Sequence, residues 1–250
     1  VGSVAIVTGA GSGLGRCLAV SLAADKISLV LVGRRAHQLD TARAECVEAG
    51  ASPDDVLAVT ADLSHPDSAA RVVAVARDRL GGVDMLVNNA AVATFGRLES
   101  IPVETFTQLF QLNVLGPAAL IRQAAPLLRL SRGSVVNVGS IGGLLAVPDR
   151  SFYGATKAAL HHLTRSLARE LAPEIRVNAV LPGAVDTEMY DHLGLDEDAT
   201  RRLREDMIRT TPLGRMGRPE DVVPWIRMML GPAASWMTGT LLVVDGGRSC

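Results

Sequence analysis

The chain has 250 residues, 48% hydrophobic and 20% charged, which excludes wholesale disorder and provides for a sizeable core. Its 25 Lys and Arg against 26 Asp and Glu leave a net charge of -1, so no global field draws in nucleic acid or an anionic membrane. Three scattered cysteines, Cys17, Cys46 and Cys250, are too few for a disulfide framework and have no zinc-ligand spacing, so no metal site is expected.

Short β-branched runs alternate with longer helix-like stretches. Val4 to Thr8 reads as a buried strand, followed by glycines and a helix over 13–24. Ser28 to Val32 is a second strand and 36–49 a second helix, with Gly50 as its C-cap. Val56 to Thr60 is strand three, and a helix over 66–79 has Pro66 in its first turn. Asp84 to Asn88 is strand four, followed by helices near 103–113 and 117–130. Ser134 to Val138, a long helix over 152–172 and Arg176 to Val180 come next. Helices over 197–209 and 220–230 precede a last strand, Leu241 to Val244.

Strands that are apolar throughout imply a sheet covered on both faces, which is the mark of a doubly wound parallel α/β fold of seven strands. With no repeat and no linker-like shift in composition, residues 1–250 are expected to form one domain. The long uncharged runs between Arg132 and Asp149 and between Arg227 and Asp245 are broken by Gly and Pro, so neither reads as a membrane span. A first strand at Val4 leaves no room for a signal peptide, and a reducing cytoplasm is the expected compartment.

Ligands in such sheets bind beyond the carboxyl ends of the strands. There the chain reads Thr8-Gly9-Ala10-Gly11-Ser12-Gly13-Leu14-Gly15, four glycines in seven residues ahead of a helix. Such a turn lets backbone approach a pyrophosphate and aims helix N–H groups at the anion. It departs from G-x-G-x-x-G, because Leu14 stands where the last glycine would be, and it is no P-loop.

The only lysines are Lys26 and Lys157 and the only tyrosines Tyr153 and Tyr190, yet Tyr153 and Lys157 stand four apart on one helix face. A phenol near pKa 10 is a weak acid–base at neutral pH. An ammonium about 5 Å away, at an effective dielectric of ~20, would lower that pKa by a little over two units.

Together, the glycine turn, Asn88-Asn89-Ala90 after strand four, Asn113, Ser140, Tyr153-x3-Lys157, Pro182-Gly183 and Asp245-Gly246-Gly247 resemble the short-chain dehydrogenase/reductase family. The resemblance runs from Val4 to about Gly247, in the family's order and at its length. It implies a Rossmann-type fold and a nicotinamide oxidoreductase. By the same resemblance Tyr153 exchanges the substrate proton, and Lys157 lowers the phenol pKa and bonds the nicotinamide ribose. Ser140 holds the substrate oxygen and Asn113 anchors a water relay. Gly9, Ser12, Gly13, Leu14, Gly15, Asn89, Ala90, Pro182, Gly183, Val185 and Thr187 would border the cofactor, with Thr187 on the carboxamide. Where the family has Asn-Asn-Ala-Gly, this chain has Ala91, and a small local adjustment is expected if that backbone needs a positive φ.

The end of strand two reads Val32-Gly33-Arg34-Arg35, without the acid that holds a ribose 2′-hydroxyl. Arg34 offers a planar fork to a 2′-phosphate, with Arg35 beside it and Arg16 adding charge, so NADP(H) is favoured over NAD(H). The bland alternative is a solvated arginine pair at a helix entry. Asp62-Leu63 resembles the family's adenine contact, or is a plain turn.

On the substrate side, the resemblance makes about 187–212 a lid, with Met189, Tyr190 and Leu193 facing inward. An ordinary amphipathic helix is the competing reading. Val92, Thr94, Ile141, Leu144 and Val147 would border a pocket with few fixed charges, suited to a mostly apolar ketone rather than a small dicarboxylate. His161-His162 reads as a helix face at a subunit contact rather than a metal pair, since neighbours on a helix point about 100° apart. The resemblance further implies a homotetramer built on 103–130, 152–172 and the last strand. The leading expectation is a ketoreductase. An NAD-dependent alcohol dehydrogenase, a cofactor-sensing scaffold and an epimerase or dehydratase remain the other possibilities.

Overall fold

The computed structural model describes residues 2–193 and 195–250. One seven-stranded sheet, parallel throughout, has the order β3-β2-β1-β4-β5-β6-β7. The strands are β1 Val4–Thr8, β2 Ser28–Gly33, β3 Val56–Thr60, β4 Met85–Asn88, β5 Ser134–Val138, β6 Arg176–Pro182 and β7 Leu241–Val244. Between them run α1 Gly13–Ala23, α2 Ala36–Glu48, α3 Ser68–Val75, α4 Val103–Phe110, α5 Gly116–Ser131, α6 Ser151–Leu171, α7 Glu197–Arg209 and α8 Pro219–Leu230.

Period-two alternation in the strands explains why both sheet faces are dry. Val4, Ile6, Val30, Val32, Leu86 and Val135 point to one face and pack with α3, α5 and α6 through Val72, Ile121, Leu128 and Leu171. Ala5, Val7, Leu29, Leu31, Val87 and Val136 point to the other and pack with α1, α2 and α8 through Leu18, Leu39 and Ile226. The edge strands β3 and β7 depart from this pattern, because each lacks a neighbour on one side and leaves part of its face in water.

The helix expected over 66–79 begins only at Ser68, so Pro66 precedes its first turn, and a π turn over Ala76–Leu80 extends it. The two helices expected at 103–113 and 117–130 are one continuous rod. A π turn over Gln111–Leu115 joins α4 to α5, and Pro117 is tolerated because it falls at the start of α5.

Several polar groups inside the sheet have specific partners, although Asn88 Oδ1 has none among the described residues. Asn88 donates to Asn137 Oδ1 (2.8 Å), and Asn137 donates to Thr164 on α6 (2.9 Å). Asn178 fixes the approach to β7 by donating to Met237 O (2.9 Å) and accepting from Thr240 N (3.0 Å). Arg176 at the start of β6 donates to Met229 O (2.8 Å), Leu230 O (3.1 Å), Gly231 O (3.3 Å) and Ala234 O (3.0 Å), closing the carboxyl end of α8. Arg176→Met should leave Met229 O without a donor among the described residues and remove one donor each from Leu230 O, Gly231 O and Ala234 O, which keep Ser134 Oγ, Ala234 N and Met237 N. The cost of about 1–3 kcal/mol should lower Tm by roughly 3–10 °C in calorimetry. An unchanged Tm would mean that water replaces the guanidinium without loss.

Candidate active site

The strand order reverses between β1 and β4, and the chain must splay there. One hydroxyl holds the splayed ends. Thr8 Oγ1 accepts from Asn89 N and Ala90 N (2.9 Å each) and donates to Val87 O (3.2 Å). Asn89 Nδ2 returns bonds to Thr8 O (2.9 Å) and Gly9 O (3.3 Å). Steric demand then fixes the glycines. A Cβ on Gly15 would stand 2.2 Å from Gly9 O, and one on Gly9 would stand 2.7 Å from Asn89 Nδ2 at φ +65°. Gly15 thus carries the close packing that Leu14 cannot. Ala91 does not have a positive φ, so the expected adjustment next to the turn does not arise.

Ser12 caps α1 with its backbone only, and the first turn of α1 has no acidic residue, so its N–H groups face the cleft without an internal anion. The cleft holds about 990 Å³ beyond the ends of the central strands. Gly9, Ser12, Gly13, Leu14, Arg34, Arg35, Asp62, Leu63, Asn89, Ala90, Pro182, Gly183, Val185 and Thr187 all line it. So do Ser140, Tyr153, Lys157, Met189 and Tyr190. Gly15 lies behind the turn. Asn113 is buried within the π turn, where it accepts from Val92 N (3.0 Å) and donates to Val92 O (2.9 Å) and Thr156 Oγ1 (3.1 Å). Its side chain thus clamps the backbone of the cleft wall to α6. The glycine-lined turn, the open end of α1 and the amine of Lys157 suit a dinucleotide phosphate and ribose.

At the end of β2, Arg35 donates to Ser12 Oγ (3.4 Å) and pairs with Glu188 (3.4 Å), joining the glycine turn to the segment after β6. Arg34 has no side-chain bond among the described residues. Arg16 pairs with Glu45 on α2 (3.6 Å) and does not line the cleft, which corrects the charge expected from it. Asp62 does form a turn, accepting from Ser64 N (2.9 Å) and Ser64 Oγ (2.7 Å). Burial works to raise its carboxyl, but these bonds and the nearby Arg34 hold it below the usual range.

Tyr153 and Lys157 share the buried face of α6, with the amine 5.8 Å from the phenol ring centre. Lys157 Nζ donates to Val138 O (2.8 Å), leaving two N–H bonds to offer. Ser140 Oγ accepts from Gly142 N (3.0 Å), leaving its own hydrogen for the Tyr153 oxygen or a substrate oxygen. Burial pushes the Tyr153 phenol up to about 12, Ser140 pulls it back, Tyr190 adds to the rise, and Arg150 opposes it. Burial pushes the Lys157 amine down to about 8. The depressed phenol expected from the spacing is therefore not a property of the protein alone. Desolvation of the two groups outweighs their attraction, and the amine is aimed at Val138 O.

Four features were not foreseen. Leu145, not Leu144, lines the cleft, because Leu144 is 51% exposed at the end of a 3₁₀ turn. Leu193 lies in a cluster with Tyr190, Met207 and Phe95 beneath α7, so the helix does pack on the body and the residues before it supply the cleft wall. Arg150 and Arg248 line the cleft, against the expectation of few fixed charges. His161 is buried rather than at a surface contact, and Nε2 accepts from Ser140 N (3.4 Å) while Nδ1 has no partner among the described residues. Its ring fills space left by Gly139 and Gly143, where a Cβ would stand 2.6 Å away. A polar residue at a core position of the α6 period was the one available signal for it.

A family model described as enoyl-(acyl carrier protein) reductase matches residues 9–249. The rhamnolipids biosynthesis 3-oxoacyl-[acyl-carrier-protein] reductase of Pseudomonas aeruginosa is 35% identical, over 98% of this chain and 96% of that protein. A Pseudomonas aeruginosa structure solved as an NADP active-site complex superimposes with TM-score 0.89 at 34% identity, covering 100% of this chain and 97% of that one. The 3-ketoacyl-(acyl-carrier-protein) reductase from Brucella melitensis complexed with NADH superimposes with TM-score 0.88 at 32% identity, covering 100% and 99%. The chain belongs to the short-chain dehydrogenase/reductase family and is an NAD(P)-dependent oxidoreductase.

Burial, with Lys157 and Arg165 nearby, pushes His161 down to about 4 from its ordinary 6.5. Below pH 6.5 the unfolded chain takes up a proton that the folded chain refuses until about pH 4, so stability is lost as pH falls through that window. His161→Gln should flatten this fall in Tm by on the order of 5 °C in scans from pH 7 to pH 4. A profile unchanged by the substitution would show that His161 does not titrate in this way.

Proposed function

We propose that the protein is an NADP(H)-dependent ketoreductase, and the observation that carries the reading is the buried phenol of Tyr153 between Ser140 and Lys157 in the cofactor-sized cleft. A phenol held near 12 is fully protonated at neutral pH. It is poised to give a proton to an oxygen turning into an alkoxide, which favours carbonyl reduction over alcohol oxidation.

When bound, the reduced nicotinamide supplies the hydride. Ser140 donates its hydroxyl hydrogen to the substrate oxygen and orients the carbonyl. Tyr153 gives its proton to that oxygen as negative charge develops there. Lys157, with two N–H bonds to spare, holds the ribose and supplies a positive field that the phenolate left behind requires. Asn113 keeps the Val92 wall and α6 in register. Apolar walls from Val92, Ile141, Leu145 and Val147 suit a substrate with an apolar body.

The NADP(H) preference is supported by Arg34, which lines the cleft with no acid at the end of β2. The relatives include complexes with NADP and with NADH, so the family alone does not decide it. The segment 187–212 acts as a lid, in a single domain spanning 1–250. Arg35 and Glu188 tie the start of that lid to the glycine turn.

The protein works as a homotetramer in the cytoplasm. Exposed apolar side chains support the assembly: Val103, Leu115 and Leu130 on the α4–α5 rod, and Trp236 and Val243 near the β7 edge. No helix among the described residues is long and apolar enough to cross a membrane.

Oxidation of NADPH followed optically with a panel of ketones tests the reaction. Tyr153→Phe should lower kcat by roughly 10²–10⁴-fold, and full activity in its absence would remove the proton donor from the mechanism. NADPH should exceed NADH in kcat/KM, and Arg34→Asp should reverse the order by at least about tenfold. A wild-type preference for NADH would point to an NAD-dependent dehydrogenase instead.

A further inference from the structure

The substrate end of the cleft carries positive charge that carbonyl reduction does not use. Arg150 stands three residues before Tyr153, at the mouth of α6, and Arg248 approaches from the carboxyl end of the chain. Both line the cleft. The Arg150 guanidinium lies 4.8 Å from the centre of the Phe95 ring, and that ring packs edge-on against Tyr153 with centres 5.8 Å apart. One aromatic ring therefore separates the cation from the phenol.

Neither arginine is matched by a close acid. Arg150 has no ion pair and no side-chain hydrogen bond among the described residues. Arg248, whose side chain is 11% exposed, pairs among the described residues only with Asp206 at 3.9 Å, and Asp206 also pairs with Arg209. The first turn of α6 has no acidic residue to offset its positive end. Burial and the like charge of Arg248 both work against the Arg150 cation, yet a guanidinium cannot discharge by losing its proton. Asp206, shared with Arg209, offsets Arg150 and Arg248 only in part, so net positive charge is left facing the substrate. A guanidinium fork matches the two oxygens of a carboxylate, and the Phe95 ring 4.8 Å away gives the cation a contact face.

We propose that the natural substrate carries a carboxylate, received by Arg150 and Arg248 while its ketone lies against Ser140 and Tyr153. The substrate class is thus a keto acid with an apolar chain between its two functional groups. The assignment rests on the ketoreductase reading and deepens it.

The test compares kcat/KM with NADPH for 4-oxopentanoate, 5-oxohexanoate and 6-oxoheptanoate against their methyl esters, alongside the neutral ketone 2-heptanone. In wild type the acid of the fitting length should exceed its ester by about ten- to a hundredfold, the discrimination of one charge-assisted bond. Arg150→Met should bring that ratio toward one, and Arg150→Lys, which keeps the charge but not the fork, should restore part of it. A wild-type ratio at or below one for every chain length overturns the assignment whether or not the variants fold. So does a ratio that Arg150→Met leaves unchanged. If 2-heptanone and the esters are turned over without preference for the acids, only the carboxylate site is lost. If no carbonyl compound consumes NADPH or NADH, the ketoreductase reading falls with it.

Discussion

The site depends on the hydroxyl of Thr8. At the place where the sheet reverses its winding, two strands that were hydrogen-bonded to each other must part, and backbone donors beyond β4 would be stranded. Thr8 accepts two of them at 2.9 Å each, and Asn89 returns the contact to Thr8 O and Gly9 O. The gap is thereby held at one width, and α1 approaches so closely that no side chain fits at Gly9 or Gly15. A glycine-rich turn here is a steric consequence of that clamp as much as an adaptation to a phosphate.

A second constraint governs the chemistry. Tyr153 and Lys157 are both removed from water, and burial drives each toward its neutral form. Attraction between an ammonium and a phenolate would oppose this, but the amine is directed to Val138 O and stands 5.8 Å from the ring centre. The folded chain thus stores the proton on the phenol. His161 reinforces the arrangement from behind, filling the space that glycines leave beneath the Ser140 turn.

Periodicity made most of the fold legible. The bounds of β1, β3, β5, β7 and α7 agree with the sequence reading, most other elements shift by one or two residues at their ends, and α3 and α4 stop four and three residues short of the expected end, where π turns take over. What periodicity missed were the π turns, because one inserted residue leaves the apolar pattern on either side intact. In the site, residue types with a chemical reason to sit near each other were found: the glycine turn, Tyr153 with Lys157, and Arg34. Arg150, Arg248 and His161 were not, because each acts through a contact with residues far away in the chain. Position in sequence gives no sign that Arg248 turns back into the cleft or that His161 lies under Ser140. Charge counted along the chain likewise could not show that Arg16 is neutralised by Glu45.

The irregular turn at Gln111–Leu115 allows one rod to serve two neighbours. A regular helix advances about 100° per residue, so a single surplus residue rotates everything upstream of it relative to everything downstream. On one side of the step Phe106 stacks with Phe110 and Phe152, and on the other Leu120 and Leu128 enter the sheet core, with Asn113 in between. Excision of one residue at the step would restore ideal geometry and put these surfaces out of phase. The defect in the helix is therefore what keeps these two surfaces in phase.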